Sequence, residues 1–274
     1  MPSPPPTPPP TPPARCGLSR ALSKLGHCSR SEAATLIKMG KVTLNGIVKR
    51  NPETPTVLGV DKIAVEGKPV KEVRHVYLML NKPRGLVTTA ADEQGRSTVF
   101  ECLQGGDLPP HLSAVGRLDM ASEGLLLVTN DNQWATAVTD PNNHVDKVYH
   151  VQINRVADDA FIADMIKGVF TDDGEELSAK KVTLLRSGPK NCWLEVTLDE
   201  GKNRHIRRLV EDLNVEVMRL VRISIGTLQL GKLEKGAWRY LTATEASKVA
   251  QVVRDKMRSG KPAGRRFSRR TKPA

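Results

Sequence analysis

Residues 116–131 read GRLDMASEGLLLVTND, and the division of this stretch decides the fold of the second half of the chain. Leu125-Leu126-Leu127-Val128 is a short, wholly apolar run. A run this short, without polar alternation, predicts a buried strand rather than a surface helix. Three charged side chains, Arg117, Asp119 and Glu123, gather at its foot. They are either a charged turn, with Glu123 as a structural partner, or a carboxylate site at the mouth of a buried strand.

Working outward, VYLMLNKPRGLVTT (76–89) predicts strand, tight Lys-Pro-Arg-Gly turn, strand. VYHVQI (148–153) alternates with Tyr149, Val151 and Ile153 on one face, and NCWLEVTL (191–198) reads as another strand. DDAFIADMIKGV (158–169) has helical periodicity. In NRHIRRLVEDL (203–213) the apolar residues Ile206, Leu209, Val210 and Leu213 recur at three and four, which makes an amphipathic helix with Arg207 beside its buried face. EVMRLVRISI, TLQL and WRYLT add strands, and TATEASKVAQVV closes with a helix for which Thr242 is the cap. Asn132 is expected to cap a helix after the opening motif. Strands outnumber helices without alternating regularly with them. That predicts an α+β fold with a mixed, mainly antiparallel central sheet and flanking helices.

The N-terminal part has a different texture. Ser29-Arg30-Ser31-Glu32 has the spacing of a capping box, helix formers follow to Met39, and Gly40 is a fitting stop. KVTLNGIVK then sets Asn45-Gly46 between two short alternating runs, a strong hairpin signal. Lys24, Arg30, Lys38 and Lys41 cluster around these helices as candidate RNA-docking residues. Before them, nine of the chain's 19 prolines fall in the first 14 residues, predicting an extended, disordered leader.

The net charge of +12 is unevenly placed. Residues 256–274 carry eight Lys/Arg and no acid, and residues 15–73 carry eleven Lys/Arg against five Asp/Glu, which leaves 74–255 at −2. A near-neutral body between basic flanks suits a polyanion, most simply nucleic acid. No run of 18 apolar residues occurs, so no membrane-spanning segment is expected. The N-terminus lacks the apolar core of a secretory signal, and Cys16, Cys28, Cys102 and Cys192 form no CxxC pair, so reduced thiols in the cytoplasm are expected. Neither GxxxxGK[ST], GxGxxG, HExxH nor GxSxG is present. The expectation is chemistry without cofactor or metal, by a carboxylate.

Two resemblances sharpen this. The segment from Leu18 to Val70 resembles an S4 RNA-binding domain: a short helix, an Arg/Ser-rich turn, a second helix, then a V-x-L-N-G strand. GRLDMASEGLLLVTN resembles the catalytic motif of the RsuA-type ribosomal RNA pseudouridine synthases. LNKPRG (80–85), Lys147-Val148-Tyr149, the GKNRHIRRLVEDLNVEVMRLVRISIG segment and GAWRYLT (236–242) stand in that family's order. The resemblance implies isomerisation of a uridine in ribosomal RNA, more readily of the large than of the small subunit. It implies Asp119 as the essential carboxylate, Tyr149 as the aromatic stacked on the target base, and Arg207 as the arginine paired with the aspartate. Arg117 and Arg204 would grip flanking phosphates, Leu118 and Ile206 would wall the pocket, and Lys82 joins them as a substrate-binding residue. His205 stands where the family commonly has Gln. The implied organisation is a leader (1–16), an S4 domain (17–73), a synthase domain (74–255) and a basic tail (256–274), acting as a monomer. The rival reading is a non-catalytic RNA-binding ribosome-assembly factor; an intact Asp119, Tyr149 and Arg207 favour the enzyme.

Phosphate contacts release counterions, so they make affinity steeply salt-dependent. Deleting 256–274 is expected to weaken RNA binding and to flatten the slope of log affinity against log salt in filter-binding titrations. An unchanged slope would remove the tail from the RNA contact.

Overall fold

The computed structural model describes residues 15–71, 74–90, 92–109, 111–171 and 174–249. The proline-rich leader up to residue 14 and the basic tail lie outside the described residues. The chain divides into two compact units, the first mainly residues up to 75 and the second mainly from 76 onward.

In the first unit β1 (Arg15–Gly17) pairs antiparallel with β4 (Pro55–Val57), so the unit's structure starts two residues before position 17. Helices α1 (Leu18–Lys24) and α2 (Arg30–Lys38) follow β1. Ser29 caps α2 as its spacing predicts: Glu32 N donates to Ser29 Oγ at 3.2 Å. Strands β2 (Val42–Leu44) and β3 (Ile47–Lys49) form the hairpin around Asn45-Gly46, both of which have positive φ, the requirement of a type I′ turn. With β5 (Ile63–Val65) and β6 (Lys68–Pro69) they make a four-stranded sheet. Leu18, Leu22, Ile37, Val42 and Val65 form its core.

The second unit is built on a nine-stranded sheet. Its strands are β7 (Tyr77–Lys82), β8 (Ser113–Val115), β9 (Glu123–Thr129), β10 (Lys147–Ile153), β13 (Lys181–Ser187), β14 (Cys192–Leu198), β15 (Val217–Ile225), β16 (Leu228–Gln229) and β17 (Trp238–Tyr240). The order is β13-β14-β10-β15-β9-β7-β17, with β8 added on β9 and β16 on β15. Every pairing is antiparallel except β9 with β15. Helices α3 (Asn132–Thr139), α4 (Asp159–Lys167) and α5 (His205–Asp212) flank it, with a short ribbon of β11 (Val169–Phe170) and β12 (Glu176–Leu177). Residues 243–249 are helical, and Glu245 N donates to Thr242 Oγ1, the expected cap.

β9 explains its own composition. All seven of its residues are buried. Leu126 joins the core shared with α4 and α5, while Leu125 and Leu127 join the core against Trp134, Val138 and Val249. A strand covered on both faces has no polar face to alternate with. Glu123 is its first residue and not part of the turn; it is buried and bonded by Arg219 at 2.8 Å and Lys235 at 2.6 Å. Burial opposes its ionisation, but these two cations outweigh burial and hold its pKa below the usual carboxylate value.

Two local expectations are corrected. No second strand follows the Lys-Pro-Arg-Gly turn; Val87 makes a single bridge to Thr98. Asn132 is the first residue of α3 and not the residue before it.

Gly124 pairs with Arg222 across the parallel junction and has φ +100°, and a Cβ there would lie 2.2 Å from the Arg222 carbonyl oxygen. Backbone can yield little at such a contact, and positive φ adds strain for any other residue. Gly124→Ala is expected to cost about 3 kcal/mol or more, seen as a large drop in thermal midpoint. A midpoint within two or three degrees of wild type would contradict the tight junction.

Candidate active site

The GRLD turn leads into β9, and the first question is what holds it. Gly116 has φ +72°, which sets the turn's entry. Beyond it, five consecutive carbonyls each accept a hydrogen bond. Leu118 O accepts from Thr88 Oγ1 at 2.7 Å and Asp119 O from Ser122 N at 2.9 Å. Met120 O accepts from Gly85 N at 2.8 Å, Ala121 O from Arg207 Nη2 at 3.3 Å, and Ser122 O from Lys82 Nζ at 2.8 Å. The loop is fixed through its backbone, which leaves the Asp119 side chain free to face a cavity.

That cavity is a cleft of about 350 Å³ in the second unit. Arg117, Leu118, Asp119, Tyr149, Arg204 and Ile206 all line it, together with Ser122, Leu198, Leu220 and the 201–203 loop. Tyr149 is buried on β10 and Leu220 on β15, so the sheet makes one wall. Ile206, on the first turn of α5, contributes to another. Arg204 has φ +48°, a left-handed conformation uncommon for a residue other than glycine, at the N-cap of α5. The rim is cationic: Arg117 and Arg204 are exposed and Lys202 is half-buried. A second recess, shared at Arg117, Leu118, Asp119 and Arg204, is walled by 87–89 and by Asp92–Arg96, whose ion pair measures 2.6 Å.

Two expected roles change. Lys82, expected to bind substrate, is fully buried. Its ammonium donates to Pro83 O at 3.0 Å and Ser122 O at 2.8 Å, so it anchors the Asp119 loop from behind. Burial pushes its pKa down to about 8, against the opposing pull of Asp119 and Glu123. Arg207 was expected to pair directly with Asp119. Its guanidinium instead donates to Val217 O at 3.1 Å and Ala121 O at 3.3 Å, and it reaches Asp119 only through the longer-range Coulomb field. Burial, the first cause, and the neighbouring Arg204 and Arg84 lower its pKa, while Asp119 and Glu211 raise it.

Ser122, Lys202 and Asn203 line the cleft without having been singled out from sequence. Polar residues in turns carry no periodic signal, and only tertiary placement brings them to the cavity. Among the described residues no group of three or more His, Cys, Asp or Glu side chains is placed to hold a metal ion. None of the described helices is long and apolar enough to cross a membrane.

In the first unit, Arg30, Lys38 and Lys41 are exposed and Lys24 is half-buried. Lys41 is paired with Glu66 at 2.7 Å, so part of its charge is offset locally.

The Asp119 loop, Tyr149 and the first turn of α5 all fall within one stretch of sequence that known proteins share. Residues 76–212 match the family model described as RNA pseudouridylate synthase, and residues 16–55 match the S4 domain. The chain belongs to the RNA pseudouridine synthase family. It is 35% identical over 237 residues to an RNA pseudouridine synthase of Aquifex aeolicus (strain VF5), covering 86% of this chain and 94% of the relative. It is 33% identical to ribosomal large subunit pseudouridine synthase B of Bacillus subtilis (strain 168), covering 86% and 96%. A solved structure titled as a crystal structure of pseudouridylate synthase superposes with a TM-score of 0.60 at 27% identity, over 85% of this chain and 99% of that one. The synthase thus carries an S4 domain ahead of an α+β catalytic domain.

Lys82 supplies a check on the anchoring role. Its folded pKa of about 8 lies below the unfolded value of 10.5, so between these values the unfolded state binds more protons and stability rises with pH. Lys82→Met leaves two carbonyls unpaired and lacks this titration. The variant is expected to unfold about 2 kcal/mol more easily at pH 7, with the gap to wild type widening as urea melts are repeated from pH 8 toward 10.5. A constant gap would place the ammonium in water.

Proposed function

We propose that this synthase converts a specific uridine of ribosomal RNA, of the large rather than the small subunit, to pseudouridine, with Asp119 as the catalytic carboxylate. The observation that carries this reading is the position of Asp119: a half-buried carboxylate on a loop whose five carbonyls are held, facing Tyr149 in a cleft with a cationic rim. Preorganisation of this kind concentrates the loop's rigidity on one reacting group. The large-subunit preference draws on relatives named ribosomal large subunit pseudouridine synthase B.

The N-glycosidic bond between uracil N1 and the ribose C1′ breaks, the freed base turns, and C5 bonds to C1′. C5 loses its proton and N1 gains one, so the product is an isomer and nothing is consumed. Asp119 serves either by attacking C1′ or by drawing a proton from the sugar to give a glycal; both routes need an ionised carboxylate at the sugar. Lys82 and Arg207, both buried, lie within Coulomb reach of Asp119. Tyr149 stacks on the base, and Leu118 and Ile206 exclude water around it. Arg117 and Arg204 grip the phosphates beside the target, which must be turned out of the RNA fold at a cost of a few kcal/mol. Lys24, Arg30, Lys38 and Lys41 of the S4 domain dock the RNA backbone without reading its bases. The enzyme works in the cytoplasm as a monomer.

Asp119→Asn keeps the side-chain volume and removes the charge. The variant is expected to bind ribosomal RNA within about twofold of wild type and to lose at least 10³-fold in rate, read by mass spectrometry or chemical mapping of pseudouridine. Wild-type turnover in this variant would end the carboxylate mechanism. The same mapping with wild-type enzyme identifies the nucleotide.

A further inference from the structure

One buried titratable side chain at the cleft belongs neither to the catalytic set nor to the apolar core. His205 is the first residue of α5 and lines the cleft with its side chain 2% exposed. Its Nε2 lies 3.0 Å from Ser178 O, just after β12. A carbonyl oxygen only accepts, so Nε2 carries a proton whether the ring is neutral or charged. The remaining freedom is at Nδ1, which is buried and makes no hydrogen bond.

Nδ1 faces the Glu200 carboxylate, with Oε1 at 3.7 Å. The same Oε1 takes Lys202 Nζ at 2.9 Å, and Lys202 also donates to Glu176 O on β12. Among the described residues the ring also feels Glu175, itself bonded to Arg208. Gly201 to Arg204, between Glu200 and His205, line the cleft and include two of its rim cations. The ring therefore sits under the rim with one nitrogen fixed on Ser178 and the other aimed at the carboxylate where the rim segment begins. In the neutral ring a lone pair meets a carboxylate. In the charged ring a proton meets it, closing an ion pair and adding one positive charge below the rim.

We propose that His205 is a positioning residue that couples RNA affinity to pH: with Nε2 held by Ser178, protonation of Nδ1 draws Glu200 and the 201–204 rim together and strengthens the grip on RNA phosphates. This rests on the reading of the cleft as the RNA site. Burial first, and then Lys202, hold the His205 pKa below 6.5, with Glu200, the Ser178 bond and Glu175 opposing them, so the free ring is neutral at neutral pH. If charging the ring favours RNA, RNA favours charging the ring, by the same factor.

Gln at 205 presents an N–H donor toward Ser178 and an oxygen toward Glu200 but cannot titrate, whereas Ala loses both. Binding of in-vitro-transcribed large-subunit ribosomal RNA to full-length wild type, His205→Gln and His205→Ala is measured at fixed salt at pH 7.5 and 5.5. Wild type is expected to gain about threefold more affinity than His205→Gln on acidification, the effect of one charge at several ångströms in a partly screened site. At pH 7.5 the Gln variant should match wild type, while the Ala variant binds more weakly. ¹⁵N spectra of the imidazole should show the Nε2–H tautomer in free protein and a titration midpoint that rises when RNA is added. Equal pH responses in wild type and His205→Gln, or a midpoint indifferent to RNA, would overturn the proposal. Failure of wild type to form pseudouridine would instead count against the catalytic reading, since the binding and spectroscopic results stand without turnover.

Discussion

The catalytic half of this protein depends on a backbone constraint: the carbonyls of Leu118 to Ser122 are each tied by a donor. The donors come from scattered places. Gly85 closes the Lys-Pro-Arg-Gly turn and Thr88 follows it, Lys82 ends β7, and Arg207 lies on α5. A loop held by its main chain can present a side chain without that side chain bearing any structural duty. The constraint continues into β9, where the Gly124–Arg222 junction lets two backbones approach more closely than any Cβ permits. The loop is thus anchored at its far end by the strand that divides the two cores.

Burial of two cations behind the carboxylate carries a cost, visible in the lowered pKa of Lys82 and of Arg207. Desolvating an ammonium or guanidinium is unfavourable unless its protons find acceptors. Here the acceptors are backbone carbonyls, including two of the five in the Asp119 loop. The same contacts that offset desolvation also fix the loop. Replacing either cation by an apolar side chain would therefore disturb position and electrostatics together.

Much of the fold is legible in sequence where a local pattern is strong. The Ser29 cap, the Asn45-Gly46 hairpin, the alternating β10 and β14, and the three-and-four spacing of α5 all appear where their residues predict. Patterns weaken where burial is one-sided or sparse. β13 carries no strand signal, because its five residues from Thr183 onward are all exposed on the sheet edge, which erases alternation. α3, the helix expected at Asn132, buries only Trp134 and Val138 among eight residues, so its start shows in the sequence while its extent does not. The strand expected after the turn reduces to the Val87–Thr98 bridge, since apolar composition alone does not supply a neighbouring strand to pair with.

The sequence by itself determined the fold class, the two-part organisation of motifs and, through the family resemblance that those motifs carry, most of the residues it named that line the cleft. These follow from periodicity, turn residues and motif order, all of which are local or linear properties. Only the tertiary structure decided what Lys82, Arg207 and His205 do. Lys82 turns inward to a carbonyl 40 positions away, Arg207 grips Ala121 O rather than the carboxylate beside it, and His205 spans from Ser178 to Glu200. A charged residue in a motif looks the same whether its head group meets solvent, substrate or a backbone oxygen. That choice is set by burial and by partners far away in the chain, which linear spacing does not encode.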